Sequence, residues 1–364
     1  MSLAKAERRR TWSRPISHRR LNFLIPGNLA APTGGYRYDR RIIAGLRAHG
    51  WQVNPITLDA SFPAPSAAAR ADAAAKLQAV ADNERVLIDG LALGVIPEIV
   101  EQQQARLRLI GLVHHPLADE SGLSTECSRA LRASESAALA LMHALVVTSG
   151  ATARRVQAMG LDAAQITVIE PGTDPAPLAK RAGREPLQLL CVGALIPRKG
   201  HRFLIEALAT LRDLAWRLTI IGSLEQDRAT ALNIQSQIQT LGLSERVLLS
   251  GEVDDSRLGA AYQQADLFVL PSLLEGYGMA FSEALAHGLP ILGCNAGAVA
   301  DTVPNTAGLL VEPRSSAALA AALRRLLSNS SERAQLAAGA ERARAQRPNW
   351  PNQAQRWAQL LENV

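Results

Sequence analysis

Glu275 and Glu283 stand eight residues apart in a stretch, 271–290, whose other residues are almost all apolar or small. A helix beginning near Gly278 would carry Glu283 along its body. It would leave Glu275 just before its N-terminus, where backbone N–H groups lack partners and the helix dipole is positive. A phosphate fits between two carboxylates so placed. Each glutamate also has a plainer explanation: Glu275 would complement the dipole, and Glu283 would be an exposed helical charge. The second is weakened by Met279, Ala280, Phe281, Ala284, Leu285 and Ala286, which leave that helix little polar face. A mostly apolar helix is buried, and a buried Glu needs a partner. Vicinal ribose hydroxyls qualify, because a carboxylate accepts two O–H donors at once.

Three further loops carry candidate chemistry. Gly193-Ala194-Leu195-Ile196-Pro197-Arg198-Lys199-Gly200 leaves a strand and enters a helix, in a chain with only four lysines. Adjacent cations at such a turn suit a diphosphate, since Arg forks onto phosphate oxygens and Lys supplies a point charge; a solvated basic turn is the plain alternative. Gly34-Gly35, after Pro26-Gly27-Asn28 and before a helix, lets backbone approach a ligand closely, with a helix N-terminus behind it. The G-x-G-x-x-G spacing of a dinucleotide fingerprint is absent. Val113-His114-His115-Pro116 ends an inner strand, so one of the two histidines is expected to donate a hydrogen bond to a sugar hydroxyl or a developing charge. Metal ligation is not expected there, for want of nearby ligands.

The elements that must hold these loops follow a βα rhythm. Strands are expected at 21–25, 53–58, 85–89, 107–114, 144–148 and 165–169, with helices at 35–49 and 67–81 among the segments between them. This is the pattern of a doubly wound parallel sheet. A Pro-rich run from Pro171 to Pro186 then breaks the rhythm and reads as a linker, because it continues neither a helix nor a central strand. The rhythm restarts with strands at 187–192, 218–221, 247–249, 267–270 and 290–293. Two α/β domains joined by a hinge make a cleft, with ligands at the carboxyl ends of the strands. Trp350, Ala354, Trp357, Ala358 and Leu361 recur at helical spacing, giving the last helix one apolar stripe that must pack on a domain surface. The expected domains are therefore a basic arm at 1–20, an N-terminal domain at 21–180, a C-terminal domain at 186–345 and a final helix within 346–364.

Composition bounds the class. At 364 residues the chain exceeds one ordinary core, and 48% hydrophobic with 20% charged residues describes a soluble globular protein. No apolar run has the 18 or more residues that span a bilayer. The net charge of +6 is accounted for by residues 1–20, where seven Lys and Arg oppose Glu7. The remainder is neutral overall, which removes the case for a nucleic-acid partner. The arm has too few apolar residues to fold and lacks the apolar core of a secretory signal; solvation is the first expectation, weak contact with acidic lipid headgroups the second. Cys127, Cys191 and Cys294 show neither disulfide nor metal spacing, and buried thiols in a reducing cytoplasm are expected.

Together these residues resemble a known family. Glu275-x7-Glu283, Pro197-Arg198-Lys199-Gly200, Pro171-Gly172-Thr173-Asp174, Ala265-Asp266-Leu267-Phe268-Val269-Leu270-Pro271-Ser272 and the Gly34-Gly35 loop look like the retaining glycosyltransferases of family 4, with the GT-B fold. The resemblance covers about residues 21–364. It implies two Rossmann-like domains facing across a cleft, with the final helix crossing back to the first. It also implies that Arg198 and Lys199 neutralise a nucleotide-sugar diphosphate, Glu283 holds the ribose diol and Glu275 contacts the donor sugar. Backbone around Gly278, Met279 and Ala280 would reach phosphate or sugar, and Gly193, Gly222 and Val253 would lie by the nucleotide. His114-x-Pro116 matches the family's histidine near the transferred sugar, which favours His114 over His115. Two departures stand out: Ala194 replaces a usual Arg, and Gly297-Ala298 followed by Asp301 replaces Gly-Gly before a Glu.

The chemistry implied is transfer of a sugar from a nucleotide diphosphate sugar to an unidentified acceptor. Cleavage builds negative charge on the leaving group, which cationic side chains and a helix N-terminus can stabilise without a metal or other cofactor. Retention is implied by the family alone, by same-face attack. Two other classes stay open: a nucleotide-sugar-binding protein without transfer, suggested by Ala194, and a dinucleotide oxidoreductase built on two α/β domains. Acceptor recognition is expected in the loops at 59–66 and 116–126, the second of which holds Glu120.

Overall fold

A computed structural model describes residues 19–180 and 185–364. The arm expected at 1–20 lies outside the described residues except for its last two, and Arg20 is already the first residue of a strand. Among the described residues, twelve strands form two parallel sheets of six. The first sheet uses β1 (Arg20–Pro26), β2 (Gln52–Leu58), β3 (Arg85–Asp89), β4 (Arg108–Val113), β5 (Ala144–Val147) and β6 (Ile166–Val168). The second uses β7 (Leu187–Val192), β8 (Trp216–Ile221), β9 (Val247–Leu249), β10 (Leu267–Leu270), β11 (Ile291–Cys294) and β12 (Gly308–Val311). The central strands β3, β4 and β10 are buried at every position because helices cover both faces of a parallel sheet, and they are apolar except for Arg85, Asp89 and Arg108 at strand ends.

The helices of the first half are α1 (Gly34–Ala48), α2 (Ala67–Gln78), α3 (Gly90–Leu93), α4 (Pro97–Glu101), α5 (Thr125–Leu139) and α6 (Gly150–Gln157). Those of the second are α7 (His201–Ala209), α8 (Arg228–Thr240), α9 (Asp255–Gln264), α10 (Met279–Ala286), α11 (Val299–Thr302), α12 (Ser316–Ser328), α13 (Ser330–Arg344) and α14 (Trp350–Asn363). None among the described residues is long and apolar enough to cross a membrane.

Strand order places the ligand sites. The second sheet runs β12-β11-β10-β7-β8-β9, the dinucleotide-fold order with its reversal between β7 and β10. The first runs β2-β1-β3-β4-β5-β6, with its reversal between β1 and β3. At each reversal neighbouring loops depart to opposite faces, and a crevice opens past the carboxyl ends of the strands.

α14 packs on α1. Trp357 is fully buried and its Nε1 donates to the Tyr38 hydroxyl (2.8 Å), which in turn donates to the Ile169 carbonyl (2.9 Å). Arg19 pairs with Glu362 on the same helix (3.1 Å).

Three expectations are corrected. The second sheet has a sixth strand, β12, four residues at the sheet's edge beside β11. The first helix starts one residue earlier than expected, at Gly34, because the Thr33 side chain accepts from the Tyr36 N–H and starts the helix there. Cys127 is exposed, since it lies in the first turn of α5, whose buried residues, Glu135, Ala138 and Leu139, come later; Cys191 and Cys294 are buried as expected.

Candidate functional site

At the second sheet's reversal, the loops after β7 and β10 meet. The 197–199 turn ends at Gly200, whose left-handed φ of 69° lets the chain enter α7 against the Pro271 carbonyl. The Leu273 N–H donates to the Arg198 carbonyl (2.7 Å), tying the two loops together. Their side chains then converge on one carboxylate. Lys199 Nζ donates to Glu275 Oε1 (2.6 Å), Ser272 Oγ donates to the same oxygen (2.5 Å), and an Arg198 Nη1 lies 3.8 Å from Oε2. Glu275 is 6% exposed. Burial works against its charge, but Lys199 and Arg198 outweigh it and hold the carboxyl below its ordinary range. The stem of Lys199 lies along Gly193, where a Cβ would sit 3.3 Å from Lys199 Cδ. Gly222 meets the Gly193 carbonyl on the other side.

Lys199 and Glu275 are joined directly, a half-buried ammonium and a buried carboxylate that neutralise each other.

α10 begins beside this pair. Gly278 caps it with φ 89°, a conformation that favours glycine, and no side chain caps the N–H groups of Met279 and Ala280. Glu283 lies one turn further on, 21% exposed rather than enclosed. Its partners are protein groups: Arg37 Nη1 of the first domain donates to it (2.6 Å), as does the buried Tyr262 hydroxyl (2.9 Å). Burial raises its pKa, with Arg37 and Tyr262 opposing the rise. A cavity of about 320 Å³ adjoins Glu283 on the hinge side, lined by Arg37, Asp174, Tyr262, Met279, His287 and Trp350 among others.

The first domain brings Gly34, Gly35 and His114 to the opposite wall. A Cβ on Gly34 would approach Met279 Sδ at 3.8 Å, and one on Gly35 would approach His114 Nε2 at 3.5 Å. Gly276 presses so closely on the His114 carbonyl that a Cβ there would lie 2.0 Å from the oxygen. Gly276 therefore lets the two walls touch, whereas a Cβ at Gly34 or Gly35 would make only ordinary contacts. His115 faces elsewhere, with Nε2 3.3 Å from Glu120. Glu120 also reaches Arg198 Nε across the cleft (3.2 Å), and its pKa falls to about 2: burial opposes this, and His115 and Arg198 drive it. Val253, between β9 and α9, has its recorded packing in the second domain's core.

Sequence reasoning missed two carboxylates beside His114. Asp39 Oδ1 and Asp89 Oδ2 each lie 3.4 Å from His114 Nε2, and the three ligand atoms fit within 4.8 Å. The premise that His114 has no neighbouring ligands is thus wrong: the reversal between β1 and β3 delivers one carboxylate from α1 and one from the end of β3. Burial raises Asp39's pKa against the pull of His114, and the two carboxylates raise that of His114 against its own burial. A signal existed for Asp39, which shares the apolar face of α1 with Ile42, Ile43 and Leu46. Arg37, also missed, precedes it by two residues.

The fold and site define a GT-B protein, two Rossmann-like domains with a polar cleft between them. Residues 178–343, a little under half of the chain, match the family described as "Glycosyl transferases group 1". It is similar to an MMP alpha-(1->4)-mannosyltransferase of Mycolicibacterium hassiacum, 26% identical over 70% of this chain and 65% of that one. It is also similar to a glycogen synthase of Mycobacterium tuberculosis, 33% identical over 69% and 60%. The chain thus spans less than two thirds of these curated relatives. Among solved structures, a sucrose-phosphate synthase of Thermosynechococcus elongatus superposes with a TM-score of 0.81 at 21% identity, covering 95% of this chain and 98% of that one. The Anabaena protein HepE, in complex with UDP-glucose, superposes at 0.76 with 19% identity, covering 95% and 100%.

Proposed function

We propose that this chain is a retaining glycosyltransferase that moves a sugar from a nucleotide diphosphate sugar to an acceptor without a metal at the diphosphate. The observation that carries this reading is the Lys199–Glu275 pair, buried where the second sheet reverses and beside the uncapped N-terminus of α10. A donor diphosphate entering there would take Lys199 and Arg198 as its cations. Glu275, released from Lys199, would turn to the sugar hydroxyls. The N–H groups of Met279 and Ala280 would meet the remaining charge, and leaving-group stabilisation of this kind is a major source of rate in such reactions. Glu283 would exchange Arg37 for the ribose diol, with Gly193, Gly222 and Val253 near the nucleoside. His114 would face the transferred sugar from the other wall, next to Gly34 and Gly35. Names among the relatives support the donor class: one group of mannosyltransferases is called GDP-mannose-dependent, and HepE was solved with UDP-glucose. They do not choose the base. The loops at 59–66 and 116–126 are the proposed acceptor surface, and a cytoplasmic location is proposed with them.

The test is a panel of UDP-, GDP- and ADP-sugars, screened by thermal shift and then for transfer by mass spectrometry. With the donor so identified, Glu275→Gln and Lys199→Ala should each lower kcat by roughly 100-fold or more. Wild-type-like turnover in both would end the proposal.

A further inference from the structure

We infer that Asp39 and Asp89 are positioning residues that clamp the Nε2 edge of His114 from behind, fixing the ring as an imidazolium that donates to ligand oxygens and cannot serve as a base. This inference rests on His114 facing the transferred sugar, as proposed above, but its geometry is independent of the reaction. Nε2 is fully buried and stands 3.4 Å from a carboxylate oxygen on each side. A ring nitrogen facing two carboxylates must carry hydrogen, because its lone pair would otherwise oppose theirs. Two buried carboxylates, 0% and 1% exposed, also demand positive charge beside them. Neither Asp39 oxygen meets hydrogen-bond geometry with any described group, so His114 is its nearest source of that charge.

The clamp is held in place by the fold. Asp89 Oδ1 accepts from the Leu91 N–H (2.8 Å) as the cap of α3, which turns Oδ2 toward the histidine. Asp39 is carried by α1, and the Tyr38 ring meets the imidazole edge-on, with centroids 5.5 Å apart. Tyr36 and Arg40 are the other charged or titratable groups bearing on the cluster. The Tyr36 hydroxyl is spent on the Pro26 carbonyl, and Arg40 Nη1 on the Leu29 and Ala31 carbonyls. With Nε2 buried between the two carboxylates, Nδ1 is the ring nitrogen left for a ligand. A histidine protonated on both nitrogens has no lone pair with which to accept the acceptor's proton.

The experiment follows the His114 Cε1–H resonance by NMR in the full chain, in wild type and Asp39→Asn, beside the pH dependence of transfer. Wild-type His114 should remain protonated throughout about pH 6 to 9, and the variant should titrate at least about one unit lower. In the variant kcat should acquire a fall toward high pH of tenfold or more, with the donor KM unchanged. Asp89→Asn should shift the same resonance in the same direction, which guards against a folding defect in either variant alone. The inference is overturned if wild-type His114 titrates near its ordinary value or if neither variant moves it. One equivalent of Mn²⁺ or Zn²⁺ retained by purified wild type and lost in Asp39→Asn would also overturn it, since the three atoms would then hold a cation and no proton. The NMR result stands whether or not the chain transfers sugars, so the two proposals fail separately.

Discussion

Glu135 shows how one buried carboxyl sets a pH dependence. It is 1% exposed on α5, and its two oxygens accept from the Leu117 N–H at 3.2 and 3.0 Å, holding the start of the 117–119 turn beside the cleft loop. Burial is the largest influence and raises its pKa from 4.5 to about 7, with Asp119 adding to the rise and the Leu117 N–H and Arg132 opposing it. The folded state therefore holds this proton more tightly than the unfolded chain. The stability it contributes is fully present below about 4.5 and is lost as pH rises through 7. At about 1.4 kcal/mol per unit the loss is on the order of 3 kcal/mol. Glu135→Gln keeps an acceptor for Leu117 and carries no charge. Relative to wild type it should therefore gain roughly that amount between pH 5 and 8, measured as the difference in urea midpoints. Equal midpoints at both pH values would show that Glu135 is ionised in the fold without cost.

Among the elements, α14 follows the second domain in sequence but packs Trp350, Trp357, Ala358 and Leu361 into the first domain's core. Trp357 is fully buried between this helix and α1 and holds the Tyr38 hydroxyl, the neighbour of Asp39. Trp357→Ala should cost about 3–5 kcal/mol, read from denaturant unfolding, whereas Trp357→Phe keeps most of the buried area and should cost less than half of that. That stripe was legible in the sequence, as were most strands, because strands covered on both faces read as unbroken apolar runs bounded by Gly and Pro. β12 was not, although Leu309-Leu310-Val311 is as apolar a run as that of β9. The loops of the second domain were legible because Arg198, Lys199, Glu275 and Gly278 act within a few residues of the strand ends that carry them. Asp39 and Asp89 meet His114 across sequence separations of 75 and 25, so their partnership is written in the strand order and not in any local motif. The pairing of Arg37 with Glu283, across 246 residues, is hidden for the same reason.

Across the whole molecule the two domains meet through opposite charges that sit on the groups proposed to hold the donor. Arg37 of the first domain covers Glu283, Glu120 covers Arg198, and Arg154 pairs with Asp301 at 2.9 Å. Thr152 Oγ1 also donates to the Gly276 carbonyl (3.2 Å). Arg154 is 65% exposed, so its pair contributes little. Arg37 and Glu283 are 31% and 21% exposed, and theirs is the pair that a ribose would have to displace. With Glu283 as the proposed ribose ligand, donor binding would compete with this contact for one carboxylate. Arg37→Ala should tighten the binding of the matching nucleoside diphosphate, by about fivefold if the pair is worth about 1 kcal/mol. Calorimetry near pH 8 is the suitable measurement, because burial raises the Glu283 pKa and the loss of Arg37 raises it further. Glu120→Gln should act in the same direction through Arg198, and the double variant should show a larger radius of gyration in solution scattering. Weaker binding by Arg37→Ala would mean that Arg37 itself contacts the donor, and the competition would then be between two ligands of one arginine.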